Sequence, residues 1–427
     1  MNTVSPAAAS PDLSQQGAPG WTKTLWLMVC VQFVMSASQT SSSPVLPLYL
    51  KTLGIDSEGA IEFWTGVLVS LPFLISAFAA PLWGSVADRR GRKMMVIRSS
   101  LANCLLMIGM GFSQHLWHLV AMRALMGVFS GFSAAAIALV ATQAPSNRLG
   151  YALGWLSTGQ LVGALVGPVL GGIVADLSDS NRLVFFAGGI AALMVSLTAL
   201  TVTEEFSPAS GGGRRSPFRG FVILTQTPGM AVIFITMFAA QFGVRTVQPV
   251  VTPFVQELGG ALPSLATLAG FAFSVTGIGD LLVSPFLGKR SDSIGYRYVL
   301  LICLFGAAMA TLPQSFVESY WQFLGLRFVL GMFIGGILPT ANAMVGQLVP
   351  VGQRGLAYGV TASATFLGSF LGPMSGGIIA ASFGIRWVFA VTASVFLANL
   401  AWVFLMLPKP QAPDIDTVRD EAAASGD

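Results

Sequence analysis

The sequence predicts an all-α polytopic membrane protein, with twelve transmembrane helices arranged as two six-helix bundles. Three observations carry that expectation. Asp, Glu, Lys and Arg make up 9% of the 427 residues and apolar types 54%, where a soluble domain carries roughly 25% charge. The apolar residues are gathered into twelve runs, each long enough to cross a bilayer. The second half of the chain repeats the Gly, Pro and Arg landmarks of the first at a nearly constant offset.

The runs lie at 25–50, 64–86, 94–113, 117–140, 151–174 and 183–202 (spans 1–6), then 228–255, 265–287, 297–315, 319–343, 355–380 and 385–407 (spans 7–12). At about 1.5 Å per helical residue each covers a hydrocarbon core of roughly 30 Å, the longer ones with tilt. None alternates in the manner of a membrane β-barrel strand. Residues 1–22 are rich in Ala, Pro, Ser and Gln without a basic leader, and are expected to form a disordered cytoplasmic N-terminus, not a cleaved signal. Bundles are expected at 23–202 and 228–407, with a central cytoplasmic linker at 203–227 and an acidic cytoplasmic tail at 408–427. With both ends in the cytoplasm, sixteen Lys and Arg fall inside, three outside (Lys51, Arg182, Arg386) and three within spans, of the 22 in the chain. That is the positive-inside pattern.

Composition also excludes classes. Cys30, Cys104 and Cys303 lie in apolar runs and read as small hydrophobes, without a disulfide framework. His115 and His118 share a loop with no further ligands, so no metal is expected. The net charge of +4 reflects membrane orientation and does not point to nucleic acid. No nucleotide-binding loop or enzyme module is present.

The repeat is specific. At 204 positions Gly84 and Asp88 fall on Gly288 and Asp292, Gly91 on Gly295, and Arg123, Gly127 and Gly131 on Arg327, Gly331 and Gly335. At 205, Pro44 falls on Pro249, and Gly163, Gly167, Pro168, Gly171 and Gly172 on Gly368, Gly372, Pro373, Gly376 and Gly377. Duplicated bundles of this kind favour a central site between halves that rock.

Three motifs stand out. Gly84-x-x-x-Asp88-Arg89-Arg90-Gly91-Arg92-Lys93 joins spans 2 and 3. Its glycines suit a tight turn, its carboxylate suits a helix N-terminus, and its basic run suits an anionic inner leaflet. Arg123-x-x-x-Gly127-x-x-x-Gly131 puts a charge inside span 4, where it either faces a cavity or snorkels to fix the helix. Gly154, Gly159, Gly163, Gly167, Pro168, Gly171 and Gly172 mark span 5 with a smooth ridge that lets another backbone approach. Further charges lie in spans at Arg245, Asp280 and Arg327. Asp280 is either a proton carrier or a structural residue.

These motifs resemble those of the major facilitator superfamily, in its twelve-span drug:proton antiporter branch. The resemblance covers about 22–408 and includes Phe78-Ala-Ala-Pro81-Leu-Trp-Gly84 and Leu153-Gly-Trp-Leu-Ser-Thr-Gly159. It implies a conformational latch at Gly84, Asp88, Arg89, Gly91, Arg92, Lys93 and Asp292. It implies proton coupling or buried charge at Arg123, Arg245, Asp280 and Arg327, and an antiporter motif at Gly154, Gly163, Gly167, Pro168, Gly171 and Gly172. It also implies a cavity lined by spans 1, 4, 7 and 10, supplied here by Gln32, Met35, Gln39, Phe129, Phe132, Met237, Phe238, Gln241, Phe333 and Asn342. No carboxylate is seen well inside a first-half span.

The implied function is secondary active export of drugs or other mostly apolar small molecules in exchange for protons. No bound cofactor is required, since the proton gradient supplies the energy. The alternatives are a narrow carrier for a sugar, metabolite or siderophore, and a membrane receptor or scaffold without flux. The implied setting is a bacterial inner membrane. The expected partners are a small-molecule substrate, protons and lipids, with the chain acting as a monomer.

Overall fold

A computed structural model describes residues 20–204, 227, 229–259, 264–350 and 353–407, without the side chains of Asp88 and Asp292. Residues 1–19, most of the expected linker and the acidic tail 408–427 lie outside the described residues. Every described element is helical. Eleven helices among the described residues are long and apolar enough to cross a membrane. The first span is the twelfth: Trp21–Ser41, continued by Leu46–Thr52. Lys23, Gln32, Gln39 and a run of Ser and Thr dilute its apolar character.

Where the helices break follows from the sequence. Span 1 stops at Ser41 and resumes at Leu46 around Pro44, which has no N–H to continue the ladder. Span 7 does the same 205 positions later: Met230–Thr246, a 3₁₀ turn Gln248–Val250 containing Pro249, then Val251–Gly259. Spans 2 (Glu58–Arg90) and 3 (Arg92–Gly111) are joined by Gly91 alone, with φ +89°. Spans 8 (Leu265–Ile294) and 9 (Tyr296–Thr311) are joined by Gly295 alone, with φ +97°. L-residues rarely adopt that region, so Gly is required at both turns. Spans 5 (Leu149–Ser178), 6 (Asn181–Leu200), 10 (Tyr320–Leu348), 11 (Arg354–Phe383) and 12 (Ile385–Met406) are continuous.

Two compact units emerge. One takes in the described residues of Met1–Gly213 and Val251–Ser274, the other those of Arg214–Val250 and Val275–Asp427. In the first, span 1 packs along spans 5 and 6, span 3 along span 6, and span 2 along the outer half of span 4. Its cores are built from Leu25, Met28, Val96 and Leu156, and from Leu46, Tyr49, Leu68 and Phe185. In the second, span 7 packs along spans 11 and 12, and span 9 along spans 10 and 12, around Met230, Ile233, Leu304 and Phe396. Large apolar side chains such as Phe78, Leu105, Trp117, Phe286, Trp321 and Leu405 stand exposed, as a lipid-facing surface requires.

The tightest packing is a glycine ridge on each unit. A Cβ at Gly159 would meet the Val29 carbonyl oxygen at 2.7 Å, and Cβ atoms at Gly163, Gly167 and Gly171 would run into the carbonyls of Phe33, Ala37 and Ser41. The second unit repeats this at 205 positions, with Gly368 against Phe238, Gly372 against Phe242 and Gly376 against Thr246. Gly154 differs. It is exposed, and nothing lies within 4 Å of where its Cβ would be. We expect Gly163→Ala to destabilise the protein by about 1–3 kcal/mol through overpacking, and Gly154→Ala to leave it unchanged. Thermal melting of purified variants followed by size-exclusion chromatography measures both.

Candidate functional site

At the inner ends of spans 2 and 3 the expected loop is one residue long. Gly84 lies inside the span 2 helix with open space around it, so it makes no turn. The turn glycine is Gly91. Asp88, Arg89 and Arg90 form the last turn of span 2, and Arg92 and Lys93 the first turn of span 3. The described cap on span 3 comes from elsewhere. Glu204, just past span 6, accepts hydrogen bonds from the backbone N–H groups of Arg92 and Lys93, both at 2.8 Å. A bidentate carboxylate at a helix N-terminus satisfies two orphan donors and opposes the positive end of the dipole. Lys93 Nζ donates to the Leu200 carbonyl at 2.8 Å. In the second unit, 204 positions on, Arg297 Nη2 donates to the Phe404 carbonyl at the same distance. Sequence reasoning placed Glu204 in the linker. Its only signal was a carboxylate at the cytoplasmic end of span 6.

Arg123 is 9% exposed, in the outer half of span 4, and its Nη2 donates to Ser42 Oγ at 3.1 Å. It therefore does not snorkel to the surface; it braces the broken segment of span 1. Its repeat partner Arg327 is also buried, with its guanidinium 5.8 Å from the Phe323 ring centre. Arg245 reaches Gln248 Oε1 across the end of span 7, at 3.3 Å. Asp280 is partly buried on the face of span 8 that packs against span 10. A Cβ at Gly335 would stand 2.8 Å from Asp280 Oδ1. Arg123 and Ser42 belong to the first unit, and Asp280 and Arg327 to the second.

The expected lining residues divide. Gln39 and Asn342 are exposed. Gln32 is 2% exposed and donates through Nε2 to Ser133 Oγ at 2.8 Å. Met35 and Phe132 are buried in the core of the first unit and Met237 in that of the second. Phe333 is pressed against Gly306 of span 9, and the Gln241 side chain against Gly368 of span 11. Phe129 stacks near Trp83 at 6.2 Å and Phe238 near Phe242 at 5.9 Å.

Two further polar features escaped the sequence. Span 2 begins at Glu58, not at 64, and this buries Glu62 (5% exposed) beside the like charges of Glu58 and Glu257. An apolar run counted from its first hydrophobic residue leaves such a carboxylate out. Arg98, counted by sequence among the cytoplasmic charges, lies inside span 3. Its guanidinium sits 3.4 Å from the Trp83 ring centre, and Nη2 donates to the Ser130 carbonyl at 2.8 Å. Among the described residues no group of three or more His, Cys, Asp or Glu is placed to hold a metal ion.

Known proteins place this architecture. The family model described as the Major Facilitator Superfamily matches residues 28–265 and 233–425. The chain belongs to the major facilitator superfamily. It is similar to the multidrug resistance protein MdtG of Serratia proteamaculans, at 35% identity over 94% of this chain and 98% of that one. It is equally similar to MdtG of Proteus mirabilis, at 35% over 92% and 97%. Among solved structures it resembles a bacterial homologue of the human lysosomal transporter Spinster, with a TM-score of 0.76 at 16% identity over 91% and 97%. The nucleoside transporter NupG gives 0.74 at 14% over 92% and 100%, and both show the fold. As a superfamily member the chain is a multi-pass secondary transporter, moving small molecules across a lipid membrane by alternating access.

The cap from Glu204 is testable. Glu204→Gln keeps the shape and loses the charge, and we expect a loss of about 1 kcal/mol, read as a lowered Tm. Glu204→Ala should lose more. A Tm unchanged in both would show that span 3 does not depend on this carboxylate.

Proposed function

We propose that the protein exports drugs or other mostly apolar small molecules across a bacterial inner membrane in exchange for protons. The observation that carries this reading is its likeness to MdtG along nearly the whole chain, at 35% identity. The antiporter positions support it physically. Gly163, Gly167, Pro168, Gly171 and Gly172 are all buried, and the first, second and fourth bring span 5 against span 1 carbonyls. Such contact is specific to one arrangement of the helices, so it biases the conformational cycle.

Placement in the fold supports the following residue roles. Asp88, with Gly84, Arg89, Gly91, Arg92 and Lys93, forms the inner latch region of the first unit, to which Glu204 adds a cap, and Asp292 is its counterpart in the second unit. Arg123 and Arg327 are buried cations in repeat-related positions, which suits charge coupling. Asp280, at the close contact of spans 8 and 10, is the proton carrier, and a proton on it changes the charge at that packing point. The chain works as a monomer with both ends in the cytoplasm, consistent with its Lys and Arg distribution.

Purified protein in proteoliposomes under an imposed pH gradient tests this. A panel of dyes, antibiotics, bile acids and sugars is added, and lumenal pH is recorded. We expect several unrelated apolar compounds to drive proton movement, and Asp280→Asn to abolish it while leaving folding intact. Proton movement with one polar solute only would replace the polyspecific exporter with a narrow carrier. Full coupling in Asp280→Asn would place the proton elsewhere.

A further inference from the structure

The segment Val251–Ser274 belongs to the first compact unit, although the sequence puts it in the second bundle. Span 8 is one unbroken helix from Leu265 to Ile294, so it leaves the first unit at Ser274 and continues in the second. Its outer third is held against span 5. A Cβ on Gly172 would run into the backbone of Ala266 and Thr267, and one on Gly270 into that of Pro168. The Ser274 hydroxyl donates to the Leu165 carbonyl. Beside this pair, the Thr252 hydroxyl donates to the Pro44 carbonyl at 2.9 Å, and Lys51 Nζ to Gln256 Oε1 at 3.0 Å. Along span 5 the pairing runs from Leu165 to Asp176, roughly 16 Å, or about half the depth of a hydrocarbon core.

One carboxylate closes the outer end of this pairing. Asp176 lies in the last turn of span 5, where the helix dipole disfavours an anion. Its Oδ1 accepts a hydrogen bond from the Ala266 N–H at 3.2 Å, and its Oδ2 one from the Thr267 N–H at 2.7 Å. Those are the two amides that a helix's own N-cap side chain serves. The N-cap position here is Ser264, whose carbonyl accepts from the Leu268 N–H at 3.0 Å, and the first turn of span 8 has no acidic residue of its own. The carboxylate is therefore badly placed for the helix that carries it and well placed for the helix it touches.

The repeat supplies the control. At 205 positions on, Asp176 is matched by Ala381 at the outer end of span 11. Span 2, the counterpart of span 8, carries an acid, Glu58, in its own first turn. The duplicated scaffold thus folds without an acid on span 11, and only span 8 borrows one from another helix. An acid on the helix itself stays in place when neighbouring helices part. A borrowed one does not.

We propose that Asp176 is an outer latch: a positioning residue whose carboxylate holds the outer ends of spans 5 and 8 together and lets go when the outer face opens. Span 8 continues into the second unit, so rocking of the duplicated halves pulls on this contact. The paired glycines fix its register, because only one alignment brings the two backbones so close. Parting the helices leaves two amides to water and returns Asp176 to the unfavourable end of its own dipole. The carboxylate therefore biases the cycle toward a closed outer side. The latch rests on alternating access, and not on the cargo or on proton exchange.

The test reads access to the contact. Ser274 is 5% exposed, and Ser274→Cys is a nearly isosteric reporter there. It is introduced into the otherwise wild-type chain and into Asp176→Asn, and right-side-out membrane vesicles are treated with a membrane-impermeant maleimide. Labelling of the same chains without the reporter is subtracted, to remove the contribution of Cys30, Cys104 and Cys303. Asp176→Asn should speed labelling about tenfold, the order of magnitude of a partly buried charge at a helix terminus. Adding Ser264→Asp gives span 8 an acid of its own. It should restore any Tm lost in Asp176→Asn and leave labelling fast, and this double variant carries the test if Asp176→Asn alone melts below wild type. Labelling unchanged in Asp176→Asn, or returned to the wild-type rate by Ser264→Asp, would overturn the latch. Labelling needs no cargo, so it is scored apart from proton flux. Fast labelling in Asp176→Asn without compound-driven flux in any panel member removes the exporter and keeps the latch. Flux with labelling unchanged does the reverse.

Discussion

In hydrocarbon, each backbone N–H or C=O without a partner costs several kcal/mol. Within each unit, that demand decides where the chain is allowed to stop being helical. Span 1 breaks at Ser42–Pro44, where the Thr252 hydroxyl donates to the Pro44 carbonyl at 2.9 Å. Span 4 breaks at 129–131, where Trp83 and Arg98 take its carbonyls. Span 3 opens at Arg92, where Glu204 takes its amides. At the outer ends, Arg182 donates to the Ser113 carbonyl at 3.5 Å, and Arg386, 204 positions later, to the Val317 carbonyl at 3.1 Å. A large share of the few charges is thus set at helix ends and breaks.

The duplication survives in atoms as well as letters. Lys93 to Leu200 and Arg297 to Phe404 are the same contact made by different cations. The ridge contacts of span 5 on span 1 recur in span 11 on span 7, carbonyl for carbonyl. Against so regular a background a departure carries information. The break of span 4 beside Gln32, Ser133 and Arg98 has no counterpart in span 10, and Asp280 beside Gly335 has none at Gly131, where the matching residue of span 2 is Ser76. Each unit kept the packing and placed its own polar group at the same depth.

Most of the fold was legible, because apolar length, positive-inside bias and a glycine series at fixed offset are one-dimensional signals. Pro44 and Pro249 stand at breaks, but Pro168, Pro339 and Pro373 lie inside continuous helices, so proline by itself did not separate a break from a bend. The glycine ridge was legible because spacing by four aligns on a helix. Gly84 and Gly154 show the limit of this, because a spacing rule gives them the same weight as Gly91 and Gly163 although only the latter are required. Gly131 did not announce a break, as its equivalent Gly335 is helical and the two look alike in sequence. Arg98 and Glu204 were opaque because their partners are backbone atoms 32 and 112 residues away, and no residue pattern records a carbonyl waiting for a donor.

Gly91, Gly295 and Gly384 each form the entire link between two long helices, with φ of +89°, +97° and +96°. A one-residue link has no slack. Spans 2 and 3 cannot slide lengthwise past each other, nor can spans 8 and 9, or 11 and 12, without unwinding a turn. The linked ends of each pair therefore keep one axial register, and the motions left to the pair are rotation and bending about the glycine.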